Sequence, residues 1–181
     1  MIKRFILAAV VLLAGLSAQA QNKNEAKLNI LNTIALASVE VGYEHFIDSN
    51  QSIGAEVLIN DQFAYFLEKS GKKFNTNSIL ASYNFYFSNS GDRASGYYMY
   101  PFLKYRFGDF EEKKTVEDVV VTVKTDMDSF ILGLGAGYKW VWNDKFAVAP
   151  YASIARNFSE DVNDKFIAIE INAGFSIGYR F

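Results

Sequence analysis

The chain of 181 residues contains no cysteine. That excludes a disulfide framework, a thiolate zinc site and a catalytic thiol, and it excludes a lipoprotein, which needs a cysteine at its cleavage point. There are only 2 prolines and a single histidine, His45. A basic excess is missing: 18 basic residues stand against 20 acidic ones, and a net charge of −2 argues against a nucleic-acid binder. No apolar run in the chain reaches the roughly 20 residues of a membrane-spanning helix. Beyond residue 21 no helical period emerges, and no HExxH, Walker or EF-hand pattern occurs.

What is present begins with an address. Lys3 and Arg4 precede an apolar run over 5–16, and Ser17-Ala18-Gln19-Ala20 follows. This is the charged, apolar and small-residue order of a secretory signal peptide, so residues 1–20 are expected to be cleaved and 21–181 to form one domain.

The remainder is rich in aromatics, with 16 Phe and 11 Tyr, and alternates with period two. Ile167, Ile169, Ile171, Ala173, Phe175, Ile177, Tyr179 and Phe181 share one face, with Glu170, Asn172, Gly174 and Arg180 among those on the other. Alternation of that length exceeds the 5–6 residues, roughly, of a soluble strand and suits a tilted membrane strand. Similar patterns predict eight strands: 28–36, 38–47, 51–60, 75–88, 96–108, 127–142, 145–157 and 166–181. Connections near 48–50, 88–95 and 143–144 are short; those over 61–74, 109–126 and 158–165 are longer and charged. The link near Ala37 is very tight, so 28–47 reads as either one strand or two. Pro101 and Pro150 fall inside strands and demand a bulge or a local break.

With both termini on the short-turn side, Tyr43, Phe85, Phe87, Tyr97, Trp140, Trp142, Phe146 and Tyr179 gather at that end, with Phe181 beside them. Amphipathic rings prefer a membrane–water boundary, so these residues are expected to form an aromatic girdle. The C-terminal Gly178-Tyr179-Arg180-Phe181 resembles the last-strand pattern of bacterial outer-membrane β-barrels. The opening Lys27-Leu28-Asn29-Ile30-Leu31 and Val39-Glu40-Val41-Gly42-Tyr43-Glu44 resemble a group of small outer-membrane barrels of unassigned function. The resemblance implies that Phe181 is an assembly signal read by the barrel-assembly machinery.

Chemistry is sparse. His45, near Ser38, Glu44, Ser49 and Ser52, would be the base of a lipid-modifying acyl hydrolase or acyltransferase, but its place at the short-turn end favours an interfacial histidine. Gly133-Leu134-Gly135-Ala136-Gly137 lies inside a strand pattern with no helix after it, so inward glycines beside large neighbours are the better reading than a phosphate loop. Asp109, Glu111, Glu112, Glu117 and Asp118 are interleaved with Lys113 and Lys114, which favours a solvated outer loop over a calcium site. Val119-Val120-Val121-Thr122-Val123 predicts a hairpin strand above the bilayer, paired with 107–113 and guarded against aggregation by Lys113, Lys114 and Lys124. On the inward faces Glu40, Glu44, Glu56 and Glu170 oppose Lys104, Arg106, Lys139 and Arg180. These barrel-interior charges are expected to pair in two adjoining layers, since an eight-stranded barrel leaves an interior just wide enough for side chains.

The expectation is therefore an all-β, single antiparallel transmembrane barrel, exported to the outer membrane of a Gram-negative-type bacterium. Its role is expected to be structural or in surface interaction, with no catalytic, metal or cofactor-binding residue. Its expected partners are outer-membrane lipids, the assembly machinery and an extracellular protein met through 109–126. The alternatives are a lipid-modifying enzyme using His45, a narrow pore, and a soluble periplasmic barrel or sandwich.

Overall fold

A computed structural model describes residues 23–36, 38–68, 72–87, 93–116 and 119–181. The signal peptide, the link at Ala37, and Glu117 and Asp118 lie outside the described residues. In chain order the elements are β1 (Asn24–Asn29), α1 (Ile30–Leu36), β2 (Val39–Phe46), β3 (Gln51–Ile59), a 3-10 helix (Phe63–Glu68), β4 (Lys72–Tyr86), β5 (Gly96–Val116), β6 (Val119–Asp126), β7 (Ser129–Trp142), β8 (Phe146–Asn157), α2 (Glu160–Asn163) and β9 (Ile169–Arg180).

All pairings are antiparallel, in the order β4-β3-β2-β1-β9-β8-β7-β5-β6, and a β4–β5 ladder closes the ring. β6 and β7 lie one after the other along β5: Asp126 faces Asp109, Ser129 faces Arg106, and Met127 N–H donates to Gly108 O at 2.8 Å between them. They form one wall strand interrupted at Met127–Asp128, so the fold is an eight-stranded closed barrel. Gly108 permits that interruption: its φ is +127°, and a Cβ there would sit 2.2 Å from Asn75 O.

Alternation sets the two faces. On β2, Val41 and Tyr43 are exposed while Glu40, Gly42, Glu44 and Phe46 are buried, and the other wall strands repeat this, whereas Val120, Val121 and Thr122 of β6 are all exposed. Register is held by the turns. Asn143 and Asp144 have φ of 54° and 50°, and Lys145 N–H donates to Trp142 O, closing a two-residue turn whose twist suits a hairpin. Each proline causes a local break, not a bulge. The β4–β5 ladder skips the rungs beside Pro101 and resumes unshifted at Phe85↔Met99, and β7–β8 skips those beside Pro150 and resumes at Trp140↔Val148.

Three expectations need correction. Residues 28–36 are not a strand: β1 runs from Asn24 to Asn29 and then becomes α1. Asn29 is the reason, because its Oδ1 accepts the Asn32 N–H at 3.3 Å, as an N-cap does, while Thr33 Oγ1 donates back to Asn29 O at 2.6 Å. Thus 28–47 holds two strands with a helix between them. The last strand starts at Ile169, not 166, because Phe166 turns into an apolar cluster at the barrel end. Finally, the hairpin expected above the bilayer forms, but the partner of β6 is Asp109–Val116, which starts two residues later and runs three residues past the expected 107–113.

Candidate functional site

The lumen holds three tiers. At the short-turn end, Lys139 Nζ lies 3.0 Å from Glu25 Oε1 and 2.9 Å from Glu44 Oε2. Arg180 Nε donates to Glu25 Oε2 at 2.9 Å, and Lys27 Nζ meets Glu56 Oε1 at 2.7 Å. Ser52 and Tyr86 hydroxyls donate to Glu44 Oε1, so both lone-pair positions of that oxygen are used. Arg180 also donates to the carbonyls of Arg93 and Ala94 at 2.8 and 2.9 Å, drawing that turn across the mouth, where Ala94 is fully buried.

The middle tier is aromatic. Tyr98, Tyr100 and Phe102 of β5 form a ladder of rings with centroids 5.7 and 5.8 Å apart. They lie over the β7 glycines: a Cβ on Gly135 would sit 2.1 Å from Tyr100 Cζ, and one on Gly133 2.3 Å from Phe102 Cζ. The glycine-rich stretch is thus space for rings.

At the loop end, Arg106 grips Glu170 with two nitrogens, at 2.7 and 2.8 Å, and Asp61 Oδ2 at 3.0 Å. Lys104 Nζ bridges the same pair at 3.1 and 3.3 Å. Burial pushes the Asp61 carboxyl up, but Arg106, then Lys104, outweighs it and holds the group below the ordinary carboxylate range. Burial raises the Tyr65 hydroxyl well above its usual value, so it stays protonated and donates to Glu170. Tyr65, Phe74, Phe110, Met127, Val162 and Phe166 pack as an apolar cluster alongside, from the 3-10 helix, β4, β5, the β6–β7 break, α2 and the segment after it.

All eight inward charges named from the sequence stand on lumen-facing positions, but not as two adjoining layers. Glu44, Glu56, Lys139 and Arg180 belong to one ion-paired group and Lys104, Arg106 and Glu170 to another, with no ion pair between the two among the described residues, and Glu40 joins neither. Glu40 accepts instead from Asn29 Nδ2, Asn32 Nδ2 and Tyr151 OH at 2.7, 2.7 and 2.9 Å. Glu25, Lys27 and Asp61 were missed. The first two share the parity of Asn29 and were lost by starting β1 at residue 28; Asp61 lies beyond the end of β3, where its N–H donates to Thr76 O and its carbonyl accepts from Thr76 Oγ1, at 2.8 and 2.6 Å.

Outside, Tyr43, Phe85, Phe87, Tyr97, Trp140, Trp142, Phe146 and Tyr179 are all exposed and ring the short-turn end. Cross-strand neighbours link them: Tyr179 faces Phe146, which faces Trp142, while Tyr97 faces Tyr138. Phe181 exchanges backbone hydrogen bonds with Asn24, at 2.9 and 3.1 Å, tying the two ends of the barrel domain together. His45 Nδ1 lies 2.8 Å from Asn24 Oδ1, on the face away from Ser52, which points inward to Glu44. Asp109 and Glu112 pair with Lys124 and Lys165, at 2.9 and 3.3 Å.

No protein-family model matches the chain, and no curated protein matches it. Among solved structures, it is similar to the N-terminal β-barrel domain of Pseudomonas aeruginosa OprF, at 16% identity over 90% of this chain and 100% of that one, with a TM-score of 0.47. It is similar to Ail, the attachment invasion locus protein of Yersinia pestis, at 11% identity over 87% and 95% of the two chains, TM-score 0.43. Neisserial surface protein A is similar at 13% identity over 87% and 92%, TM-score 0.38.

Proposed function

We propose that this chain is a sealed barrel spanning the outer membrane of a Gram-negative-type bacterium, with a structural or surface-interaction role. The observation that carries this is its inversion: ion pairs and hydroxyls fill the inside, while Val57, Ile79, Leu132, Ile154 and Ile171, among others, are half exposed or more on the outside. A soluble monomer rarely exposes contiguous apolar surface beyond a few hundred Å². In lipid the same surface is solvated, and the antiparallel ladders satisfy most of the wall's backbone groups.

The interior argues against transport. Its cavity is about 50 Å³, room for roughly four waters at about 10–15 Å³ each, between ion clusters and rings. The β4–β5–β6 sheet runs on past the last β5–β7 rung at Arg106, which suits a surface contact through 109–126. Outer-membrane lipids would meet the girdle, and the assembly machinery would read Phe181 after export by the 1–20 leader. The engagement of His45 with Asn24, on the face away from Ser52, favours an interfacial role over a base.

Purified protein should show heat-modifiable gel mobility, fractionate with outer membranes and carry no steady current in planar bilayers. A water-soluble product with fixed mobility overturns the membrane assignment, and large stable wild-type currents overturn the sealed interior.

A further inference from the structure

β1 is short, and this leaves a gap in the wall. Its ladder with β9 ends at Asn29↔Ser176, so β9 has no strand partner on that side from Ile169 to Phe175. At about 3.3 Å per residue on a strand tilted by about 40°, that stretch rises roughly 17 Å, more than half of an apolar band about 25 Å tall. The gap lies on the loop-end side of the wall. α1 covers it, packing on β9 and β2. It turns Leu31 and Ile34 outward, 47% and 84% exposed, while Asn32 is fully buried. One backbone group at the gap is met by a side chain: Phe175 N–H donates to Asn29 Oδ1 at 3.4 Å.

Behind α1 lies the one lumen carboxylate that has no cation partner among the described residues, Glu40. Its Oε1 accepts a single hydrogen bond, from Asn32, so a lone-pair site remains there. Asn32 itself has 0% exposure, and its Oδ1 has no partner. Both atoms are acceptors, and no ion pair among the described residues matches the charge on Glu40. Glu40, Asn29, Tyr151, Asn172 and Ile171 line an interior cavity of about 50 Å³, together with Lys27 and Lys104, which are already ion-paired to Glu56 and to Asp61 and Glu170. That volume admits a small polar head and excludes a hydrocarbon tail.

We infer that this gap is a lateral binding site for an amphiphile with a primary-amine head: the ammonium enters beside Glu40 and Asn32, and the tail stays in the bilayer along Leu31, Ile34 and Ile171. The ammonium supplies the donors that both acceptors lack and the charge that Glu40 lacks. An anionic head is repelled, and a neutral hydroxyl supplies one donor and no charge. This rests on the membrane-spanning reading above.

The test uses full-length protein in lipid nanodiscs with dodecylamine as the probe, dodecanol and dodecanoate as competitors, and a chain-diazirine dodecylamine for crosslinking. Saturable dodecylamine binding is expected, weakened at least tenfold by Glu40→Gln, with crosslinks confined to 30–36 and 169–176. Equal binding by Glu40→Gln, equal competition by dodecanoate, or crosslinks spread evenly around the barrel would overturn the site. If Glu40→Gln does not fold, the wild-type crosslink map and competition decide alone. Heat-modifiable mobility of the same samples separates the two failures: an inserted barrel with no saturable site overturns this inference only, and a chain that never inserts overturns both.

Discussion

Lys139 shows most clearly how individual residues hold this barrel. Its ammonium bridges Glu25 and Glu44, and Glu25 in turn holds Arg180, so one lysine links β1, β2, β7 and β9 across the lumen. Taking such ions out of water costs several kcal/mol each, which pairing offsets only if every partner is present. Lys139→Ala should therefore cost about 3–5 kcal/mol where the tier is dry, because two carboxylates lose their shared cation. Glu44→Ala should cost a similar amount, since it also strands the Ser52 and Tyr86 hydroxyls. The double variant should fall short of the summed losses by about 1–3 kcal/mol, as measured by urea unfolding in micelles. Additive losses would mean the two charges do not interact. The inward parity of these residues was legible, since alternation alone assigns Glu44, Lys139 and Arg180 to one face. Their partners were not: side-chain reach across a lumen depends on which strands lie opposite, and period-two patterns carry no information about that. Glu40 illustrates the limit, having the right face and depth for Lys104 and bonding instead to two asparagines and a tyrosine.

Elements follow the same division between local signal and tertiary placement. β4, β7, β8 and β9 were readable to within three residues of their ends. α1 was not, because Leu28, Ile30 and Ile34 share the parity of a strand, and the Asn29 cap that decides for helix acts through a single hydrogen bond. The β5–β6 hairpin was readable from its β-branched run, but its exact partner was not, because register depends on the Met127–Asp128 interruption and on Gly108. Its order is testable. Lys124 is exposed as a side chain, yet its backbone pairs with Glu111 and its ammonium lies 2.9 Å from Asp109. A protease must unzip that ladder before it can cut. Trypsin added to the folded barrel should cleave after Lys124 much more slowly than in the heat-unfolded chain, read by mass spectrometry over time. Equal rates would show that 119–126 is not an ordered strand.

The whole molecule is best understood as obstacles in series. An ion crossing the lumen from the short-turn end meets the 93–95 turn held by Arg180, then the Lys139 cluster, then the rings of Tyr98, Tyr100 and Phe102, and finally Arg106 with its carboxylates and the apolar cluster alongside. Resistances in series are governed by the largest, so opening one tier leaves the path closed. Arg180→Ala should free the turn without producing current, because the rings and the Arg106 cluster remain. Tyr100→Ala should enlarge the middle without producing current, because an ion cluster still stands on either side. Only a variant that breaches the turn, the rings and the Arg106 cluster together should conduct, provided heat-modifiable mobility shows that it has folded. The measurement is single-channel recording in planar bilayers at fixed salt. Steady current through either single variant would mean that one tier alone seals the barrel and that the others are packing around it.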